Sequence, residues 1–256
     1  MKKKTIHSHV EIPKQLYKKF AFNNQDDKLV VNYLDKDLTI KEKELDLIGA
    51  EDFYFSDEME EFLNNTLETP LGEVIKRLSN QNKKELSNNE KSILNKMIHY
   101  TPLRNKDFFQ SFSSLTKTNM NHEQFIKFFS NSSNENLDNF IVMVNKTDIP
   151  LIMSNNLITY LIFTDEECCE KFCYDYQVSA ILPLDKDKFI LIGNQNVFSK
   201  KILTIPNGLE SIITRINLIT YFLFKDNSNS IIFGCKDELI RISKLYESLI
   251  NQEINQ

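Results

Sequence analysis

The chain has 256 residues, 31 basic against 36 acidic, with 41% apolar and 26% charged residues. That length buries roughly three quarters of the unfolded surface, so the fold needs no staples, and the ordinary composition excludes a large disordered region. The net charge of -5 excludes a surface built mainly to neutralise phosphates, although a local basic groove stays open.

At the N-terminus, lysines 2, 3, 4, 14, 18 and 19 read as a solubilising feature. MKKK is followed by TIHSHVEIPKQ, which has no apolar stretch of the kind a secretory leader carries. The apolar runs LITYLIF and LITYFLF fall well short of the roughly 20 residues of a membrane span. A cytoplasmic protein with no membrane association is expected.

KQLYKKFAF, residues 14–22, spaces Leu16, Tyr17 and Phe20 as an amphipathic helix opened by Pro13, and LVVNYL (29–34) with DLTIKE (37–42) predicts a small hairpin. From Ser56 to about Ser130 the apolar positions recur at three and four. Thr69-Pro70 and Thr101-Pro102 each pair an N-cap hydroxyl with a proline suited to a first helical position, and Ser87 to Glu90 has capping-box spacing. The pattern predicts helices near 57–68, 70–81, 88–99, 103–115 and 122–130.

After Asn131 the runs FIVMVN, LIM, LITYLIF, VSAILPL and KFILIG are apolar and β-branched, which predicts a largely buried, mainly antiparallel sheet. Asn207 to Glu210 opens a predicted helix over 208–224, followed by a short strand IIFG and a helix from about 236. The fold class is therefore α+β: a helical first half packed with a mainly antiparallel sheet and two late helices. No linker or repeat divides the chain, so 1–256 reads as one domain, with an N-terminal helix and hairpin (1–55), a helical subregion (56–130) and a sheet with C-terminal helices (131–256).

Cys168, Cys169, Cys173 and Cys235 are too few and too crowded to staple the chain and read as free thiols, because adjacent cysteines suit one tetrahedral zinc poorly. Asn145-Lys146-Thr147-Asp148 has the N-K-x-D spacing used to read guanine. With five glycines and none followed by lysine, however, no phosphate loop can accompany it. A polar turn between two strands is the expectation.

HSHVEIPKQLYKKFAF, FYFSDEMEEFL, IHYTPLRNKDFF, MSNNLI, ILPL and RINLIT follow one another in an order that resembles the family called domain of unknown function 4238, a mostly bacterial group. The resemblance marks His9 with Pro13 and Phe20, Glu60, Arg104, the Ser154-Asn155-Asn156 element and Asn217. It brings no function with it. Asn155 stands where the family pattern has aspartate, and Leu157 where it has proline. A neutral amide neither attracts a divalent cation strongly nor takes a proton near neutral pH.

If these elements converge at the end of the sheet, Arg104 could hold a phosphate or carboxylate, His9 or Glu60 could accept a proton, and Ser154, Asn155, Asn156 and Asn217 could bind a ligand. Each also has a bland role: Asn155-Asn156 in a turn, Arg104 in an ion pair, Glu60 at a helix N-terminus. His7 and His9 would share one strand face, as a metal pair requires. With only His99 and His122 elsewhere, a divalent metal is possible but not favoured, and no cofactor is identified.

Three functions follow. One is a bacterial or phage conflict effector, a nuclease or nucleotide-acting enzyme, with His9, Glu60 and Arg104 in a polar pocket. The second is a non-catalytic module that binds a ligand or a protein partner, which the change at Asn155 favours. The third is a self-associating interaction protein, for which 19 Phe and 9 Tyr offer interface anchors.

Overall fold

The computed structural model describes residues 7–9, 12–35, 37–48, 50–52, 54–78, 85–104, 106–117, 119–132, 140–155, 159–160, 178–193, 202–226 and 231–254. The first half is helical. Pro13 precedes α1 (Lys14–Phe20), which turns Leu16, Tyr17 and Phe20 into the core. Ser56 caps α2 (Asp57–Leu63) by accepting from the Met59 amide at 3.2 Å.

The predicted break at Thr69-Pro70 does not occur. Residues 64–68 form a π turn that runs straight into α3 (Thr69–Leu78). The Thr69 amide bonds the carbonyl of Asn64, five residues back, so the helix widens by one residue at the point where proline has no N–H to give. Leu63, Leu67, Leu71, Val74, Ile75 and Leu78 then form one uninterrupted buried face.

Thr101-Pro102 is also spanned rather than being a boundary. Helix α4 (Asn88–Arg104) runs through it, and α5 is Lys106–Thr116. A helical proline costs about 3 kcal/mol. Tyr100, Leu103 and Arg104, all buried in that last turn, offset the cost by tertiary packing. The Ser87 box is present as expected: Ser87 N and Oγ both donate to Glu90 Oε2, at 2.9 and 2.8 Å. Helix α6 (His122–Ser132) completes this layer.

The strands are β1 (His7–His9), β2 (Phe22–Asn23), β3 (Leu29–Leu34), β4 (Ile40–Glu44), β5 (Ala50–Asp52), β6 (Phe140–Asn145), β7 (Met153–Ser154), β8 (Thr159–Tyr160), β9 (Val178–Asp185), β10 (Lys188–Gly193), β11 (Ile202–Ile205) and β12 (Ile232–Phe233). Strand β4 starts later than predicted because Leu38 sits at φ 55° in the turn closed by its bond to the Asp35 carbonyl. Two late helices follow the main strands, α7 (Glu210–Asp226) and α8 (Lys236–Ile254). Helix α7 opens two residues after the predicted start, since Gly208 is left-handed at φ 93° and its amide is bonded by the Glu210 carboxylate.

One sheet has the order β11-β6-β10-β9-β8, antiparallel except for the β11–β6 pair. A second joins β2, β3, β12 and β7, with β4 on β3, and β1 pairs with β5 in a two-stranded sheet of their own. The central strands β6 and β3 are buried on both faces, which is why they read as apolar runs, whereas β2, β4 and β11 are more exposed. Phe140, Val142, Leu182, Leu184 and Ile190 share a core with the helical layer, whereas Ile141, Met143, Ile181, Phe189 and Leu191 pack on Ile213 and Ile216 of α7. In the second sheet Val31, Met153 and Phe233 face the helical layer, and Leu34, Ile152 and Ile232 face Tyr221, Phe224, Leu239 and Ile242 of α7 and α8. The fold is thus α+β in three layers: early helices, sheets, late helices.

Candidate functional site

Residues 145–155 carry the chain from the first sheet to the second, and they are bonded to the body along their whole length. The Asn145 amide donates to the Asp187 carbonyl at 2.8 Å, Lys146 to Ile205 at 2.9 Å, and Leu151 to Lys186 at 2.8 Å. Inside this strap Asn145 Oδ1 accepts from the amide and hydroxyl of Thr147, at 3.0 and 2.7 Å, while its Nδ2 donates to the Ile149 carbonyl at 2.7 Å. The N-K-x-D element is therefore the polar turn that its lack of a phosphate loop predicts.

Asn217 and Asn155 hold the far end of the strap. Asn217, fully buried on α7, accepts from the Ile152 amide at 3.1 Å and donates to the Pro150 carbonyl at 2.9 Å and to Glu238 Oε1 at 2.6 Å. Glu238, 4% exposed, is met in turn by Arg241 Nε and Nη2, at 2.7 and 2.8 Å. Asn155 acts as one more rung of β pairing: its amide donates to the Ile231 carbonyl and its Oδ1 accepts from the Ile231 amide, both at 2.9 Å. Ser154 is buried beside it and pairs with Ile232. Asn156 lies outside the described residues.

Arg104 and Glu60 belong to the helical layer. Arg104 is 1% exposed, and its Nη1 donates to Glu68 Oε1 at 2.8 Å while its guanidinium lies 6.0 Å from the Phe55 ring centroid. Glu60 is half-buried in α2, in the first turn after the Ser56 cap. Around Phe55 stands a group that the sequence shows only as scattered residues, His122 among them. His122 lies against Phe109 with centroids 4.9 Å apart, and its Nε2 donates to the Leu103 carbonyl at 2.8 Å. That bond puts the ring proton on Nε2 and leaves Nδ1 to accept, with the Tyr54 hydroxyl at 3.5 Å. Glu123 receives the Ser56 amide and hydroxyl, at 2.6 and 2.8 Å, which ties α6 to the start of α2. His9 lies in β1, opposite Ala50 of β5.

A second polar group that the sequence reading missed is the β9–β10 turn. Lys188 and Asp185, 6% and 7% exposed, are paired at 3.1 Å, and Lys188 also bonds Asp187. Burial and the hydrogen bond with Asp187 push the Asp185 carboxyl up to about 6, against the pull of Lys188. Burial alone would raise Asp187, but hydrogen bonds with Asp185 and Lys188 hold it below the ordinary carboxylate range. The only hint in the sequence is a charge-rich DKDK between two apolar strands.

Cys235 is an exposed free thiol, and the other cysteines lie outside the described residues. Among the described residues no group of three His, Cys, Asp or Glu could hold a metal ion, and no helix is long and apolar enough to cross a membrane.

The family model described as protein of unknown function (DUF4238) matches residues 9–141, just over half of the chain. The chain belongs to the DUF4238 family. Within it the DUF4238 match takes in His9, Glu60 and Arg104, and it ends in β6, before the strap, so MSNNLI, ILPL and RINLIT lie beyond the matched residues. No curated protein and no solved structure shows a significant match to this DUF4238 chain.

Proposed function

We propose that this DUF4238 protein works as one domain and as a non-catalytic module that binds a ligand or a protein partner. The observation that carries the reading is the state of Arg104: the cation most suited to hold a phosphate is 1% exposed and bonded to Glu68 beneath Phe55. A ligand phosphate would have to displace a carboxylate already in hydrogen-bond geometry and reach a group with almost no access to solvent. Asn155 and Asn217 support the same reading, since their amides hold backbone at the strap instead of standing open to a substrate.

The test is incubation of the purified chain with RNA, DNA and nucleoside triphosphates, with and without Mg²⁺ or Mn²⁺. No turnover is expected under any condition. Degradation that disappears in Glu60→Gln or in a folded Arg104→Lys would overturn the proposal and favour a nucleic-acid-directed effector.

A further inference from the structure

The β9–β10 turn sets two carboxylates against one ammonium. Lys188 meets both Asp185 and Asp187, and the Asp187 amide donates to Asp185 Oδ1 at 2.9 Å. One cation cannot balance two anions, so a surplus negative charge sits where Asp185 has little access to water. The same turn grips the strap, because the carbonyls of Lys186 and Asp187 accept the amides of Leu151 and Asn145.

We propose that this turn is a proton-operated clamp on the seam between the sheets: in mild acid one proton, shared by the Asp185 and Asp187 carboxyls, removes the surplus charge and tightens residues 185–188 on the 145–155 strap. The protonated Asp185 then donates to the Asp187 carboxylate, which keeps its bond from Lys188, and the group becomes neutral. Loss of the proton near neutral pH restores the buried charge and loosens the grip.

Other charged groups near the turn are already spoken for or lie in solvent. Lys186 is exposed and acts on the Asp187 carboxylate from the solvent side, and Lys146 and Asp148 are exposed. On α1, which packs on β9, Lys14 pairs with Asp46, Lys18 is exposed and Lys19 is half-buried. At the start of α8, Asp237 is exposed, Glu238 is held by Arg241, and the Cys235 thiol feels Lys186. The neighbouring strands β6 and β8 contain no charged residue.

The sign follows from the direction of each shift. Asp185 is raised from 3.8 to about 6, so its contribution is fully present below 3.8 and is lost as pH rises through 6. Asp187 is lowered, and its contribution is lost only as pH falls below its ordinary 3.8. Lys188 is raised and stays charged until pH passes its ordinary 10.5. Between about pH 5 and pH 7.5 the carboxyl pair alone governs the turn.

Hydrogen exchange on the full chain reads the clamp directly. Protection of the Leu151 and Asn145 amides, corrected for intrinsic exchange, should be about tenfold greater near pH 5 than near pH 7.5, and the Asp185→Asn chain should show no such difference. Equal protection at the two pH values in the wild type, or the same dependence in Asp185→Asn, overturns the proposal. A carbon-13 titration of the Asp185 carboxyl in the wild-type chain decides the matter even where Asp185→Asn fails to fold. A midpoint above about 5 supports the clamp and a midpoint below it refutes it.

Discussion

Arg104 in the helical layer and Lys188 at the end of the sheet are both cations with almost no exposed surface, yet they are balanced differently. Arg104 has Glu68 on one side and the face of Phe55 on the other. Lys188 has two carboxylates, one of them buried with it. The difference teaches that burial alone does not make a charged group sensitive to pH. A buried cluster with one anion too many gains from taking up a proton near neutrality.

Removing each cation sharpens that contrast. Arg104→Met should cost the most, about 3 kcal/mol or more, because it strands Glu68 in a poorly hydrated site and removes a side chain packed under Phe55. Urea unfolding at pH 7.5 measures this loss. Lys188→Met should cost about 3 kcal/mol at neutral pH, and less than half as much near pH 5, where the two carboxyls can hold a proton between them. A loss independent of pH at Lys188 would break the comparison. Asn155→Asp should have a smaller effect, about 2 kcal/mol at pH 7.5 by the same measurement, since a carboxylate oxygen can still accept from the Ile231 amide although its charge is added at a buried position.

Much of this architecture was legible in the sequence because it rests on local chemistry. The Ser87 capping box, the Asn145 turn and the apolar strands all depend on residues within a few positions of one another. The two prolines depart from the local rule for the opposite reason. Whether Pro70 or Pro102 ends a helix depends on what the adjoining turns bury, and Leu67, Leu71, Tyr100 and Leu103 bury themselves against distant segments. The candidate site was legible as residues but not as geometry. Arg104 was foreseen either as an anion binder or as an ion-pair residue, and only its partner 36 positions away decides between them. Asn155 bonds Ile231, 76 positions on, which no spacing rule reveals.

Strand β3, laid down by residues 29–34, finds part of its edge partner in β12, at residues 232–233, and β12 in turn pairs with β7. A ribosome therefore releases the first member of this sheet about 200 residues before the one that covers it. Until then Tyr33 and Leu34 present unpaired backbone along that edge, the kind of surface on which nascent chains pair wrongly. Loop closure over such a separation is slow, so folding of this sheet should be rate-limited by the arrival and docking of the last segment, however early the helical layer forms.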